Sequence, residues 1–307
     1  MNGPDMSPEA LAFLRAFEID RSPTDFSRIA EVREEIIASQ TPNAARAVER
    51  HRLVRETVRF GGVACEQVRS SAHGAPRGVL FYVFGGGFIS GSPYCDLPII
   101  GALAEQCQVE VIAPWYRLAP EYPAPAAIDD CVAAWEAVGA AYKGPLLLAG
   151  ESAGGNLALL VAQRAKAAGI REATAMALLS PAVDLRTDPT LFEPTRSADP
   201  TLAPLRVNEI STVYARDHRL TDPAVSPLFG SLDGLPPTMI TTGTRDLLMP
   251  MCLRLDRQLR RHGVAVETRV WDGFWHVFEY YDGYPEAAES LAEIADFLNR
   301  HARLGQR

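Results

Sequence analysis

Ser152 lies at the centre of Gly150-Glu151-Ser152-Ala153-Gly154, between two apolar runs, Leu146-Leu147-Leu148-Ala149 and Gly155-Asn156-Leu157-Ala158-Leu159-Leu160-Val161-Ala162. The first run predicts a short buried strand and the second a packed helix. A G-x-S-x-G pentapeptide at such a junction turns the chain through a sharp elbow. The serine hydroxyl is then exposed, with a helix N-terminus aimed at the reacting carbon. That geometry presents a weak nucleophile for acyl transfer. The pentapeptide alone carries little weight, because with Gly and Ser each near ~7% of residues it arises by chance in roughly one in ten chains of this length. The chemistry also needs a base, a carboxylate to orient the base, and donors for an oxyanion.

Two later residues stand where strands are expected to end. Asp246, in Gly243-Thr244-Arg245-Asp246-Leu247-Leu248, follows a strand over Thr238 to Thr242. His276, in Trp271-Asp272-Gly273-Phe274-Trp275-His276-Val277-Phe278, follows one over Val266 to Val270. Serine, acid, histidine is the chain order of the α/β-hydrolase elbow enzymes. Ser152, Asp246 and His276 are therefore the expected nucleophile, acid and base. His262 precedes Gly263 and reads as a helix C-terminal residue instead. Asp272 is too close to His276 in sequence to come from a separate strand end. Phe84-Gly85-Gly86-Gly87-Phe88 follows a strand over Val79 to Phe84, where N–H groups can converge without side chains in the way. Gly86, Gly87 and the amide of Ala153 are the expected oxyanion hole. The glycines do not complete the G-x-G-x-x-G of a dinucleotide site.

The elements that must hold these groups alternate. Helices are expected over Ser7 to Glu18 and Asp25 to Ala38, then a hairpin of Leu53 to Phe60 and Val63 to Arg69 joined at Gly61-Gly62. Further strands are expected over Val79 to Phe84, Val109 to Trp115, Leu146 to Ala149, Ala175 to Leu179, Thr238 to Thr242 and Val266 to Val270. Helices over Leu97 to Cys107, Ala126 to Ala141, Ala153 to Ala168, Met251 to His262 and Pro285 to His301 lie between or after them. Apolar strands separated by helices predict an α/β class with a mostly parallel eight-stranded sheet and helices on both faces. The alternation breaks between Pro181 and Pro236, a proline-rich span with one helix near Val207 to Arg216. Residues 1–50 and 182–235 are read as a cap over a core of residues 51–181 and 236–307, placed where open sheets bind ligands.

The 307 residues suffice for one large core, and 47% hydrophobic with 22% charged residues is ordinary for a globular protein. A net charge of -8 and the lack of a basic block weigh against nucleic acid or an anionic membrane as partner. No apolar run approaches the ~20 residues of a membrane span, and Met1 to Glu9 lacks the form of a signal peptide. The five cysteines are odd in number with no C-x-x-C, which suits reduced thiols and a cytoplasmic location. The six histidines show no metal-ligand spacing, so no metal is implied.

With these pieces in place, the chain resembles the hormone-sensitive-lipase-like esterases, the bacterial family IV of α/β-hydrolases. The resemblance runs from about Val79 to Phe278. It rests on the tri-glycine loop, Tyr116-Arg117-Leu118-Ala119-Pro120-Glu121-Tyr122-Pro123-Ala124-Pro125, the Gly150 elbow, Ser180-Pro181, Gly234-Leu235-Pro236-Pro237, and the Asp246 and His276 segments. It implies hydrolysis of a small carboxylic ester, no cofactor and a helical cap, and it assigns Arg117, Glu121, Asp129 and Asp130 to scaffolding. Phe84 replaces the histidine that opens the family's glycine loop, so an aromatic group is expected to fill that space. Met249-Pro250 stands where the family has a second acid after Asp246. Phe88, Tyr214, Trp275 and Phe278, with residues near Phe192, are expected to line an apolar pocket for short to medium acyl chains. The same triad also serves lactones and amides. Hormone-binding relatives that have lost the histidine are a further alternative, against which His276 weighs. If Val266 to Val270 is an edge strand, it can pair across a two-fold axis to give a homodimer.

Overall fold

Short apolar runs bounded by turn residues become the strands of one sheet in the computed structural model, which describes residues 6–16, 22–186, 188–192, 195, 198–281 and 283–302. The strands are β1 (Leu53–Phe60), β2 (Val63–Ser70), β3 (Val79–Val83), β4 (Glu110–Pro114), β5 (Leu146–Glu151), β6 (Ala175–Leu179), β7 (Thr238–Gly243) and β8 (Val266–Trp271). Their order across the sheet is β1-β2-β4-β3-β5-β6-β7-β8. The β1–β2 and β2–β4 pairs are antiparallel and every other pair is parallel. The sheet is the expected mostly parallel, eight-stranded α/β-hydrolase sheet.

Eight α-helices accompany it among the described residues: α1 (Pro8–Ala16), α2 (Ile29–Arg50), α3 (Leu97–Cys107), α4 (Ala126–Ala141), α5 (Ser152–Ala168), α6 (Pro204–Ala215), α7 (Met249–Arg261) and α8 (Pro285–Ala302). α3 packs on α8 and α4 on α5. Every residue of β3, β4, β5, β6 and β7 is buried, because helices cover both faces of these strands. The carboxyl ends of β3, β5, β7 and β8 lie along the middle and one side of the sheet. The glycine loop, Ser152, Asp246 and His276 follow these four strand ends.

α2 differs from the expected Asp25 to Ala38. Asp25 instead caps a 3-10 turn, Phe26–Arg28, accepting from Ser27 N–H at 3.0 Å. The helix then begins at Ile29 and continues through Pro42 to Arg50. An internal proline costs about 3 kcal/mol. Beyond it the helix buries Ala44 and Ala47 and packs on α3, which works against that cost. α1 is described to Ala16, so Phe17 and Glu18 of the expected helix lie outside the described residues, as does Pro194 of the proline-rich span.

The long β6–β7 connection carries α6 and is tied to α5. Asn156 of α5 donates through Nδ2 to the carbonyls of Ala182 at 2.7 Å and Val225 at 2.9 Å, at either end of the excursion. Ser226 Oγ accepts from Leu185 N–H at 2.8 Å. α2 is fastened through Arg33, whose guanidinium donates to the carbonyls of Ile89 (2.7 Å) and Ala119 (2.8 Å) and to both oxygens of Glu121.

Candidate active site

The elbow forms because a strand and a helix must meet almost without a loop. β5 ends at Glu151 and α5 starts at Ser152, which holds a left-handed φ of +53°. Such backbone is strained in a non-glycine residue and persists only where its surroundings over-determine it. Here they do. A Cβ on Gly154 would overlap the carbonyl oxygens of Val83 and Phe84, so only glycine lets α5 approach β3 this closely.

Ser152 Oγ lies 2.9 Å from His276 Nε2, and His276 Nδ1 lies 3.1 Å from Asp246 Oδ1. Asp246, fully buried, also accepts from Thr242 Oγ1 at 2.7 Å and Leu248 N–H at 2.8 Å. Burial alone would raise its pKa, but His276, the Ser180 hydroxyl and Leu248 N–H outweigh burial and hold the carboxylate below its ordinary range. Burial alone would likewise lower the imidazole pKa. The charges of Asp246, Asp199 and Glu279 outweigh it, so His276 titrates above the usual 6.5. With Asp246 ionised, the partners assign Nδ1–H as donor to the carboxylate and Nε2 as acceptor from the serine hydroxyl.

Gly85, Gly86, Gly87, Ser152, Ala153 and His276 line one cavity of about 390 Å³. Gly86 and Gly87 take φ of +94° and +64°, which glycine adopts without strain. The carbonyl of Gly86 accepts from Ile89 N–H, Ser90 N–H and Ser90 Oγ, which closes the loop into a tight turn beside the serine. Beneath it the Phe84 ring stacks on Tyr116, centroids 4.1 Å apart and planes 13° from parallel, while Tyr116 O–H donates to the Phe84 carbonyl at 2.9 Å. Phe84 is thus held in an aromatic pair, half of it from the Tyr116 to Pro125 segment. Elsewhere in that segment Arg117 pairs with Asp130 at 2.8 Å and Glu121 with Arg33 at 2.7 Å, while Asp129 pairs with Arg164 at 2.7 Å.

Of the residues expected to line the pocket, Phe88 does so. Tyr214 stands behind it, fully buried, its ring stacked on Phe88 at 3.7 Å. Phe192 is buried away from the cavity lining. Trp275 and Phe278 are a correction to the expected pocket. They belong to a separate apolar cluster with Met6, Ala10, Phe274 and Tyr284, and Trp275 stacks on Phe13 of α1 at 4.5 Å. The histidine loop turns at Val277, φ +45°, which joins His276 in the cavity lining while the aromatic residues on either side anchor α1.

The walls come instead from residues that the sequence did not single out: Val32 and Ile36 of α2, Val207 and Ile210 of α6, and Tyr280 and Tyr281. The i, i+3 and i+4 spacing of apolar residues was visible in both helices, but it does not say what a face covers. Glu151 and Asp96 also reach the cavity. Burial pushes both carboxyls up, that of Asp96 to about 7, with Tyr82 O–H donating to Asp96 at 2.8 Å. The two rejected candidates lie elsewhere: His262 Nδ1 is 2.7 Å from Asp233, and Asp272 accepts from Thr244 Oγ1 at 3.0 Å.

Residues 80–280 match the alpha/beta hydrolase fold family. An esterase of Acinetobacter venetianus is 31% identical over 245 residues, 78% of this chain and 80% of that one. A carboxylesterase/phospholipase of Mycobacterium tuberculosis is 32% identical over 259 residues, 80% of this chain and 69% of that one. The crystal structure of a hormone-sensitive lipase from a metagenome library superposes with a TM-score of 0.84 at 30% identity, covering 97% of this chain and 100% of that chain. Sequence relatives and structural neighbours converge, and the chain belongs to the hormone-sensitive-lipase-like, family IV carboxylesterases of the α/β-hydrolase superfamily.

Proposed function

We propose that this carboxylic ester hydrolase cleaves small esters of short to medium acyl chain length through an acyl-enzyme on Ser152. The observation that carries the reading is the bonded path from Ser152 Oγ through His276 to buried Asp246, on a cavity of about 390 Å³. His276 takes the hydroxyl proton as Ser152 attacks the ester carbonyl, and Asp246 stabilises the imidazolium. The N–H groups of Gly86, Gly87 and Ala153 hold the oxyanion, a contribution of several kcal/mol when preorganised. The imidazolium protonates the departing alcohol, and water, deprotonated by His276, then releases the acid.

The β6–β7 insertion, α1 and α2 act in this reading as a cap over the core of residues 51–181 and 236–307. Val32 and Ile36 from one side and Val207 and Ile210 from the other narrow the cavity, which favours a compact ester over a triglyceride. Phe88 is the aromatic substrate contact. No feature of the site favours a lactone or an amide over an ester, and the 2.9 Å serine–histidine contact argues against a receptor. Ser152→Ala should lower turnover of p-nitrophenyl butyrate by at least about a thousandfold, and a fluorophosphonate should label Ser152 in the folded protein. Turnover within about tenfold of wild type in that variant removes the assignment.

Two coarser features support two finer proposals. No helix among the described residues is long and apolar enough to cross a membrane, and five free buried cysteines suit a reducing cytoplasm. β8 is the outermost strand, with Val270 exposed, and offers an unpaired edge for a second copy. Sedimentation at micromolar concentration tests the homodimer. A monomer there ends that proposal.

A further inference from the structure

The residue that follows the catalytic acid is gripped from the cap on both of its backbone polar groups. Leu247 N–H donates to Asp199 Oδ2 at 2.8 Å, and the Leu247 carbonyl accepts from Thr195 Oγ1 at 3.2 Å. All three residues are buried. The other oxygen of Asp199 accepts from Thr201 N–H (2.8 Å), Thr201 Oγ1 (2.8 Å) and Leu202 N–H (3.1 Å). Four donors converge on one carboxyl, an arrangement that suits the ionised form, which only accepts; burial and the neighbouring Asp246 charge push its pKa up, and His276 with the N–H groups of Leu247 and Thr201 works against that rise. Immediately beyond, Thr201, Leu202 and Ala203 line the cavity. One buried carboxylate therefore joins a cavity wall to the loop that carries Asp246.

We propose that Asp199 is a positioning residue for hydrolysis: with Thr195 it clamps the cap to the acid loop, so that the aim of Asp246 at His276 is set together with the cavity wall. The proposal rests on the triad reading above. The acid loop has backbone bonds to the histidine loop, Thr244 N–H to the Trp271 carbonyl (2.9 Å) and Arg245 N–H to the Phe274 carbonyl (2.8 Å), but among the described residues no backbone bond joins it to the Thr195 to Ala203 segment, so side-chain bonds of this kind fix the placement of that segment against it. A displacement of catalytic groups by ~1 Å costs as much as about a hundredfold in rate, so a partly loosened clamp is visible in turnover.

The clamp also has an electrostatic consequence. The charged groups facing His276 are Asp246 from the β7–α7 loop, Asp199 from the cap and Glu279 from the turn after the histidine itself. Each favours the imidazolium. Loss of the Asp199 charge must therefore lower the pH at which the base becomes neutral, and the acid limb of kcat/KM moves to lower pH.

The test is Asp199→Asn, with Thr195→Val as a second variant, assayed on p-nitrophenyl acetate from pH 5 to 9, with thermal unfolding and fluorophosphonate labelling of Ser152 measured alongside. Asn offers two N–H groups where only acceptors fit. The folded Asp199→Asn variant should lose about tenfold in kcat with KM within about twofold, and its acid-limb midpoint should fall below that of the wild type. An unmoved midpoint, or an unchanged kcat, overturns the proposal. If Asp199→Asn does not fold, Thr195→Val decides: a two- to threefold lower kcat, roughly the loss of one neutral hydrogen bond, supports the clamp, and wild-type kcat overturns it. Failure of the triad reading is separate, since it shows as no adduct on Ser152 in the wild-type protein.

Discussion

At the scale of single residues, the site is a balance between burial and charge. His276 is buried deeply enough that burial alone would depress its pKa, yet the negative groups around it raise it above 6.5. With the neutral imidazole as the proposed base, kcat/KM should rise with pH through a midpoint above 6.5. A pH–rate profile on a neutral ester checks the sign, and a midpoint below 6 contradicts the electrostatic account. Asp246 makes the complementary case. As an ionised carboxylate it fixes the histidine tautomer, whereas an asparagine can present N–H to Nδ1 and reverse it. Asp246→Asn should lower kcat by on the order of 10⁴ with the fold retained, the loss typical of a triad acid.

At the scale of elements, backbone approach and ring stacking decide what can change. β3, β5 and α5 converge so closely at Gly154 that a methyl group there meets two carbonyl oxygens rather than a movable side chain. Gly154→Ala should destabilise by about 3 kcal/mol despite the better helix propensity of alanine, measurable by urea unfolding. Tyr214 presents the opposite situation. Its ring packs on Phe88, but its buried hydroxyl has no hydrogen-bond partner among the described residues. Tyr214→Phe should keep the stack and leave the melting temperature unchanged or slightly raised, because an unsatisfied buried donor is removed. A fall of more than about 2 °C, roughly 1 kcal/mol in a domain of this size, shows that the hydroxyl has a partner in solution.

At the scale of the whole molecule, the core and the proposed cap share one apolar cluster, with polar ties at specific points of their contact. Arg33 links α2 to the carbonyls of Ile89 and Ala119 and to Glu121, and the same helix supplies Val32 and Ile36 to the cavity. Arg33→Ala leaves the triad untouched but loosens that wall. KM for p-nitrophenyl butyrate should rise severalfold while kcat changes less than twofold, the pattern of lost ground-state binding. A p-nitrophenyl ester series on the wild type should give its best rate at short to medium acyl chains, and an optimum at long chains contradicts the cap as drawn.

What the sequence determined by itself was local or repetitive. Strand and helix positions followed from runs of apolar residues, and the elbow from glycines around a serine. The meeting of Asp246 and His276 with Ser152, the proposed acid and base with the proposed nucleophile, followed from chain order and from strand ends, where a loop of few residues has little choice of place. Only the tertiary structure decided which way neighbouring side chains face. Trp275 and Phe278 flank His276 yet anchor α1, while Tyr280 and Tyr281, a turn further on, reach the cavity, since the fold of one short loop distributes them. α2 continues through Pro42 with Ala44 and Ala47 buried beyond it, so that packing and not local preference sets its length. The meeting of Asp199 and Thr195 with Leu247 joins segments separated by a strand and a helix. Such contacts have no periodicity to betray them, because they depend on how the elements pack and not on any pattern along the chain.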